Sequence, residues 1–382
     1  MSRERIDRVR RLCAGWVEEG NSPALQVVVA RRGTIVLHDA WGRLGPEDDD
    51  PPLTTDSIFP LASITKPITA AAVMCLVEDG LLGLNRPVQE YLPEFVGDGK
   101  DAVMVHHLLT HTSGLTEPGV TAYLLSGIRA GEIEPPEPLP GVGPDEFLFA
   151  RCRSDVYRAT LSQPSGSTMS YSSPGYVMLA EIVARIAGRP AASFVQKRIL
   201  DPLGMDSTSF ASVPGKWRDR YVRRPASAPL AAFMNNLDLR ARASPGAGTA
   251  SGTARDAAAF TQMLLNGGTY GDRRVLSRAS VREMTRNQIP GVSATWAGEH
   301  FPEASWGYGW GIQGDKKSQR EPSLLSSSAF IHGGVGMILV CADPEVDLVV
   351  SYLSVGLEMV TSRKSNWCAD LVVNAAIGAI VD

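Results

Sequence analysis

A serine and a lysine stand three positions apart in the stretch Pro-Leu-Ala-Ser-Ile-Thr-Lys-Pro-Ile-Thr, as Ser63 and Lys66. On a helix, this spacing puts both side chains on one face with their Cβ atoms about 5–6 Å apart, so the amine can take the hydroxyl proton. A serine hydroxyl is a weak nucleophile that needs an adjacent base, and lysine serves only if its pKa falls from about 10.4 towards neutrality. The pair therefore predicts a serine nucleophile with a lysine base, although ordinary surface helices carry the same spacing by chance.

Two features around Lys66 favour the catalytic interpretation over a surface pair. The chain has 37 basic residues, of which seven are lysines, and Lys66 alone among them has a serine three positions before it. The segment 68–77 is apolar apart from Thr69, which predicts a helix that is buried on nearly every side. An ammonium at the start of such a helix is partly desolvated, and lysine, unlike arginine, can then release its proton.

A tyrosine precedes a second helix start in the stretch Tyr-Ser-Ser-Pro-Gly-Tyr, which begins at Tyr171. Pro174 suits the first helical position and Ser173 the N-cap before it, so Tyr171 is expected just outside the helix N-terminus. The positive potential there favours a phenolate or a hydrogen bond to it, which makes Tyr171 a candidate proton carrier. Two alternatives stay open: Ser173 acts as a cap alone, and Tyr171 is a packed aromatic whose hydroxyl has a partner.

Near the C-terminus, the stretch Phe-Ile-His-Gly-Gly-Val-Gly-Met places His332, Gly333 and Gly334 before a predicted strand. Glycines here would let a substrate approach the backbone and would expose N–H groups as oxyanion donors. A glycine-lined bend between strands also explains these residues, and on this stretch alone it is the better account.

Other candidate sites are weaker. His107 and His111 stand four apart, but no zinc-protease glutamate follows and no carboxylate or thiol cluster lies nearby, so no metal site is predicted. The glycine-rich stretch 246–252 lacks the lysine of a phosphate loop, and Ser113 lacks the Gly-x-Ser-x-Gly context of a rival nucleophile. Trp310 is a candidate wall of a substrate pocket, with core packing as an equal alternative. No cofactor is expected.

The elements that would position these residues fall into two terminal groups and a helical middle. Hydrophobic periodicity predicts, for the chain ends, a helix over 3–18, strands over 25–30 and 34–38, strands over 336–342 and 346–353, and a last helix over about 365–380. In the middle, glycines end the helices predicted over 67–78, 175–187 and 254–265.

This pattern predicts two domains. Residues 1–66 and 300–382 would form a discontinuous α/β sheet domain and residues 67–299 a mostly helical domain, with the active site between them. Residues 132–146 are too rich in proline and glycine for regular structure. A long loop of this kind is often a lid or binding loop, and a surface excursion is equally plausible.

The composition is that of a globular protein: the 382 residues are 44% hydrophobic and 20% charged. A net charge of −4 without a basic block argues against nucleic acid or an anionic membrane as a partner. The highly charged N-terminal segment is unlike a signal peptide and no apolar run is long enough to span a membrane, so a cytoplasmic location is expected. Five scattered cysteines predict buried free thiols.

Taken together, these residues resemble the serine β-lactamase-related hydrolases, a family that includes class C β-lactamases, D-alanyl-D-alanine peptidases, family VIII carboxylesterases and related transacylases. The resemblance covers about 24–353 and rests on the Ser63 helix start, on Tyr171-Ser-Ser and on His332-Gly-Gly. Separations of 108 and 161 residues between these motifs, in this order, make the joint match specific. Further matches are Glu-Asp-Gly-Leu-Leu-Gly-Leu, Leu-Leu-Thr-His-Thr-Ser-Gly-Leu and Tyr-Gly-Trp-Gly.

The resemblance implies an α/β (α+β) fold of the β-lactamase and peptidase type, with an antiparallel sheet flanked by helices and a large inserted helical domain. It implies that Ser63 attacks an acyl carbonyl while Lys66 and Tyr171 hold and move its proton. The N–H groups of Ser63 and Val335 would bind the oxyanion. The substrate-binding residues expected from the matching motifs are Ser173, His332, Gly333, Gly334 and Trp310.

Two departures from the β-lactamase pattern change the expected substrate. Ser173 stands where β-lactamases usually carry asparagine, and His332 replaces the lysine of Lys-Thr-Gly. An amide donor and a fixed positive charge are lost, because histidine at its ordinary pKa of about 6.5 is mostly neutral at pH 7.

We therefore expect a serine esterase or amidase acting on a small-molecule acyl substrate. The alternatives are a transacylase with an alcohol or amine acceptor, then a β-lactamase or D-alanyl-D-alanine peptidase, then a non-enzymatic binding protein. Whether Lys66 or Tyr171 is the main base stays open.

Overall fold

A six-stranded antiparallel sheet joins the two ends of the chain. The computed structural model describes residues 1–134, 156–296, 299–315, 322–357 and 367–381. In the sheet, the first hairpin lies beside the last one, and Val28 pairs with Ser351. The predicted antiparallel sheet built from both chain ends is therefore confirmed.

Helices and mostly short strands follow one another along the described chain. The strands are β1 Ala24–Arg31, β2 Thr34–Gly42, β3 Phe59–Pro60, β4 Thr168–Ser170, β5 Ser251–Gly252, β6 Thr269–Tyr270, β7 Arg273–Arg274, β8 Ser293–Trp296, β9 Glu299–Phe301, β10 Gly311–Ile312, β11 Phe330–Gly334, β12 Ile338–Asp343 and β13 Leu348–Ser354. The α-helices are α1 Arg3–Glu18, α2 Thr65–Glu78, α3 Val105–Leu109, α4 Glu117–Ala130, α5 Ser173–Ala187, α6 Ala191–Val195, α7 Asp201–Leu203, α8 Ala231–Asn235, α9 Leu237–Arg242, α10 Ala254–Leu265, α11 Arg278–Met284 and α12 Trp367–Ile377. The order of the large sheet is β10-β11-β12-β13-β1-β2.

Both faces of this sheet are buried, which explains the continuous apolar runs of its central strands. Along β1, Val27 and Val29 belong to one core, which includes side chains of the terminal helices α1 and α12. Val28 and Ala30 belong to the other core, with side chains of α2 and α10. Successive residues of a strand point to opposite faces, so one strand supplies both cores.

Helix α2 runs through the centre of the second core. Every residue from Thr65 to Leu76 is buried, as the apolar run predicts. The helix ends before Gly80, which has a φ of 72° and accommodates the left-handed turn without a side-chain clash. A helix enclosed in this way gives its first turn a fixed position.

The predicted elements occur within a few residues of their expected bounds, and α10 occupies the predicted 254–265. Helix α10 packs on strands β12 and β13, although the predicted division assigns it to the helical middle. The division into 1–66 with 300–382 and 67–299 stays a prediction. The predicted irregular loop 132–146 falls mostly outside the described residues.

The described cysteines are buried free thiols, as expected: Cys13, Cys75, Cys341 and Cys368. Cys152 lies outside the described residues. In the described part of the chain, no helix has both the length and the apolar character that crossing a bilayer requires.

Candidate active site

The nucleophile candidate Ser63 lies in a single 3₁₀ turn, Ala62–Ile64, that leads directly into α2. Ala62 has a φ of 43°, a left-handed conformation that costs a non-glycine residue energy and that the surroundings must maintain. The Thr65 hydroxyl helps to do so, because it donates to the Ala62 carbonyl at 2.6 Å and accepts the Ala250 N–H at 3.0 Å. The backbone around Ser63 is therefore held from both sides.

Lys66 faces Ser63 across the first turn of α2. Its Nζ donates to Ser63 Oγ at 3.1 Å and to the Ala247 carbonyl at 2.9 Å. The side chain is 1% exposed. Burial lowers the pKa of Lys66 to about 8, and the negative charge of Glu117 partly opposes that shift. The spacing, the burial and the lowered pKa all agree with the sequence prediction.

Tyr171 lies beside this pair, with its ring centroid 4.7 Å from Lys66 Nζ. Its hydroxyl forms a hydrogen bond with the Ser63 side chain. Burial is the largest influence on this phenol and raises the pKa of Tyr171 well above its usual range. Desolvation outweighs the positive potential of the helix end, so the hydroxyl keeps its proton at neutral pH, and of the expected phenolate or hydrogen bond the structure has the hydrogen bond.

His332 lies on β11 and is 2% exposed. Its Nδ1 is 2.8 Å from the Gly309 carbonyl, which can only accept, so Nδ1 carries the proton. Its Nε2, 3.2 Å from Tyr171 Oη, is then the acceptor of the tyrosine hydroxyl. Burial, together with the charge of Lys66, lowers the pKa of His332 to about 3, so the imidazole is neutral at pH 7.

The end of β11 passes against the start of the nucleophile helix. A Cβ on Gly334 would lie 3.2 Å from Ser63 N and 3.3 Å from Ala62 Cβ, so glycine allows this close approach. Val335 follows directly, and both Val335 and Gly333 are half-buried. The two N–H groups predicted as oxyanion donors, those of Ser63 and Val335, therefore belong to backbone segments in contact.

Two other predicted residues are placed differently from expectation. The N-cap of α5 is Ser172, so Ser173 is the first helical residue and not the cap. Ser173 is 6% exposed and its N–H donates to Glu117 Oε1 at 2.9 Å. The Trp310 side chain has no exposed surface and packs edge-on against Phe330 at 5.0 Å between ring centroids. This position agrees with core packing, which was the alternative interpretation of Trp310. The buried indole has no surface that a substrate could contact.

A sequence model of the family described as Beta-lactamase matches residues 9–375. The chain belongs to the beta-lactamase family. Esterase EstB of Burkholderia gladioli is 38% identical over 193 residues, which make up 48% of this chain and 46% of EstB. The chain thus matches about half the length of this relative.

Two solved structures share the fold. A family VIII carboxylesterase has a TM-score of 0.77 at 21% identity, covering 100% of this chain and 99% of that one. EstCE1, a hydrolase with promiscuous acyltransferase activity, has a TM-score of 0.74 at 22% identity, covering 97% and 98%. These likenesses confirm the predicted β-lactamase-like fold class of this family member.

Sequence reasoning missed three residues at the site of this beta-lactamase family member. Glu117 lies beside Ser173, the Ala247 carbonyl binds Lys66, and His111 was considered only as a metal ligand. His111 Nδ1 accepts the Ser172 N–H at 3.0 Å, and its ring lies 4.4 Å from the Tyr171 ring. The small residues around Ala247 were a signal for close backbone approach, whereas nothing local marked Glu117.

Proposed function

We propose that this protein is a serine esterase or amidase that acts on a small-molecule ester or amide through an acyl-Ser63 intermediate. The observation that carries the proposal is the 3.1 Å contact between Lys66 Nζ and Ser63 Oγ, at a lysine whose pKa is about 8. A neutral amine at that distance can remove the hydroxyl proton as the oxygen attacks a carbonyl carbon.

Lys66 is the base in this proposal. The Ser63 oxygen bonds to the acyl carbon while its proton passes to Lys66, and the resulting ammonium then protonates the departing alcohol or amine. Tyr171 stays protonated because burial raises its pKa. Its hydroxyl donates to His332 Nε2, which leaves its oxygen to accept a hydrogen bond from the Ser63 hydroxyl. Tyr171 thereby holds the Ser63 side chain in place until the hydroxyl proton turns to Lys66 as the oxygen attacks.

The oxyanion of the tetrahedral intermediate would be bound by the N–H groups of Ser63 and Val335. The contact of Gly334 with Ser63 N supports this pairing. Each such donor typically contributes about 10²–10³ in rate, because it is aimed at charge that develops only in the transition state. Lys66 then takes a proton from water as the water oxygen attacks the acyl carbon, and it returns that proton to Ser63 Oγ when the bond between Oγ and the acyl carbon breaks and the acid leaves.

The substrate side of the site supports an uncharged acyl group. His332 is neutral and occupied by Tyr171 and Gly309, so it offers no fixed positive charge to a substrate carboxylate. Ser173 is almost fully buried and supplies no amide side chain. Both features argue against efficient use of penicillins, and the likeness to an esterase over 48% of the chain supports the ester interpretation.

A second candidate function is acyl transfer from Ser63 to an alcohol or amine. The same residues would perform it, since the acceptor replaces water in the last step. The likeness to EstCE1, whose name includes acyltransferase activity, motivates testing for an acceptor.

The proposal is tested by incubating the protein with p-nitrophenyl esters of increasing chain length, with nitrocefin, and with an added alcohol or amine. Intact mass is expected to show one acyl group on the wild-type protein and none on Ser63→Ala. Ser167→Ala, at an exposed serine, is the matched control and is expected to behave as wild type. Acylated acceptor would identify a transacylase. An adduct that persists in Ser63→Ala, or no adduct at all, would refute the proposal.

A further inference from the structure

A buried arginine lies behind the turn that carries Val335. Arg224 is 2% exposed. Its Nη2 donates to the Val335 carbonyl at 2.8 Å and its Nη1 to the Pro229 carbonyl at 3.0 Å, so in the described ranges its side-chain acceptors are backbone carbonyls. No carboxylate of the described residues pairs with this buried cation, and burial lowers the pKa of Arg224 to about 10. These two hydrogen bonds connect the guanidinium to the Val335 turn and to Pro229.

The turn is shaped around this guanidinium. Gly336 has a φ of 99° and Met337 a φ of 57°, so the chain reverses through left-handed conformations between β11 and β12. A Cβ on Gly336 would overlap with Arg224 Nη2. The Val335 carbonyl therefore points at Arg224, and the guanidinium fills the space that a side chain at position 336 would occupy.

Arg224 is itself fixed through its main chain. Asn235 Oδ1 accepts the Arg224 N–H and Asn235 Nδ2 donates to the Arg224 carbonyl, both at 2.8 Å. The two preceding residues donate N–H groups to the Ile58 carbonyl at 2.9 Å and to the Leu44 carbonyl at 2.7 Å. The guanidinium thus extends from a backbone that cannot easily shift.

The peptide on the other side of Val335 is also fixed. Gly334 pairs with Ile338 in the sheet and lies against Ser63 N. With the Gly334 end held by the sheet and the Val335 carbonyl held by Arg224, the direction of the Val335 N–H between them is set. A displacement of about 1 Å in such a group can cost about 100-fold in rate.

We propose that Arg224 is a positioning residue for the oxyanion site, acting through the Val335 carbonyl to aim the Val335 N–H at the developing negative charge. The inference rests on the proposed acyl-Ser63 chemistry and adds a residue that lies outside the three motifs. Arg224 does not touch the substrate, so its loss should weaken binding of tetrahedral species while ester binding changes little.

The experiment compares wild type, Arg224→Gln and Arg224→Lys in kcat and KM for p-nitrophenyl acetate and in the inhibition constant of phenylboronic acid. The boronic acid forms a tetrahedral adduct with a serine oxygen and places a hydroxyl in the oxyanion site. Arg224→Gln is expected to lower kcat and boronic acid affinity about 10- to 100-fold each, with KM within about threefold. Arg224→Lys is expected to recover part of both, because an ammonium can still donate to the Val335 carbonyl.

Lys100→Gln is the matched control, since Lys100 is also a buried cation, 2% exposed, and donates to the carbonyls of Val96 and Tyr157. It is expected to lower the melting temperature comparably but to leave the ratio of boronic acid affinity to KM within about twofold of wild type. If Arg224→Gln does not fold, Gly336→Ala, whose methyl displaces the guanidinium, is measured in its place.

Equal changes of that ratio in the Arg224 and Lys100 variants, or an unchanged ratio in Arg224→Gln, would overturn the inference while the proposed function stands. A wild-type protein that forms no ester or boronic acid adduct on Ser63 would overturn both.

Discussion

Lys66 is buried, and its proposed role is that of a base. Because burial lowers its pKa, burial also sets the pH range in which the amine is neutral and can accept a proton. With a pKa of about 8, roughly a tenth of the molecules hold the neutral amine at pH 7. We predict that kcat/KM for an ester rises about tenfold per pH unit below pH 7.5 and levels off above pH 8.5. A pH–rate profile measures this, and a flat profile between pH 6 and 7 would contradict Lys66 as the base.

Lys66→Arg is the matched variant, because it keeps the positive charge but cannot release a proton at any of these pH values. We expect its activity to fall by about 10²–10⁴-fold across the whole range. Residual activity that still rises through pH 8 would assign the titration to another group.

Glu117 is predicted to set the midpoint of that profile. Its negative charge raises the pKa of Lys66, against the larger lowering by burial. Glu117→Gln removes the charge but keeps an oxygen that can accept the Ser173 N–H. We therefore expect the midpoint of kcat/KM to move to lower pH, by up to about one unit, and Glu4→Gln on the outer helix α1 to leave it in place. A shift to higher pH would contradict the electrostatic role.

Strand β11 contacts the start of helix α2 at Gly334, so a change in the strand can disturb the nucleophile on the helix. We predict that Gly334→Ala lowers kcat by about tenfold. A methyl group 3.2 Å from Ser63 N fits only if the backbone of Ser63 moves from the position in which it is held. The accompanying loss of stability should be about 1–3 kcal/mol. Gly378→Ala is a suitable control, since its Cβ would lie 3.3 Å from the Asn374 carbonyl, directly after the C-terminal end of helix α12. Equal kinetic effects in both variants would show that the contact at Ser63 has no special role.

The existence of a helix or strand could be predicted from the sequence wherever the pattern that identifies it lies in neighbouring residues. The apolar run of α2, the glycines after the predicted helices and the apolar runs of the strands are all local, and each identified an element. Residues whose role depends on a distant segment could not be placed this way. Trp310 has the same neighbours in sequence whether it lines a pocket or fills a core, and Glu117 meets Ser173 only because α4 and α5 come together.

In the candidate site too, local contacts could be predicted from the sequence and contacts between distant segments could not. Ser63 and Lys66 share one helical turn, so their contact is encoded locally. Tyr171 and His332 were candidates from their local sequence and received their roles from resemblance to a family, whereas their shared hydrogen bond and proton positions depend on tertiary packing. Arg224 had no local signal, because its partner Val335 is far away in the sequence.

At the scale of the whole molecule, the buried amine links stability to pH. The pKa of Lys66 falls from 10.5 to about 8 on folding, so between these values the unfolded chain binds one more proton than the folded one. The free energy of unfolding therefore rises with pH across this window. Relative to Lys66→Met, which has no proton to bind, wild type is predicted to gain about 3 kcal/mol between pH 7.5 and pH 10.5.

Urea unfolding of both proteins across that range measures the difference. A wild-type protein that loses stability relative to Lys66→Met as the pH rises would show that the lysine is not depressed in the folded state. Subtracting the variant removes contributions from the other titrating groups.

The central sheet also determines when this protein can become active. Strand β1 is synthesised long before its partner β13, and β11 with Val335 comes shortly before β13. Until then, one edge of the first hairpin is without its neighbour and the apolar face of α2 is only partly covered. The nucleophile candidate can therefore meet its proposed oxyanion donor only after β11 has been made, and until β13 follows the nascent chain carries an open strand edge that other chains or chaperones can bind.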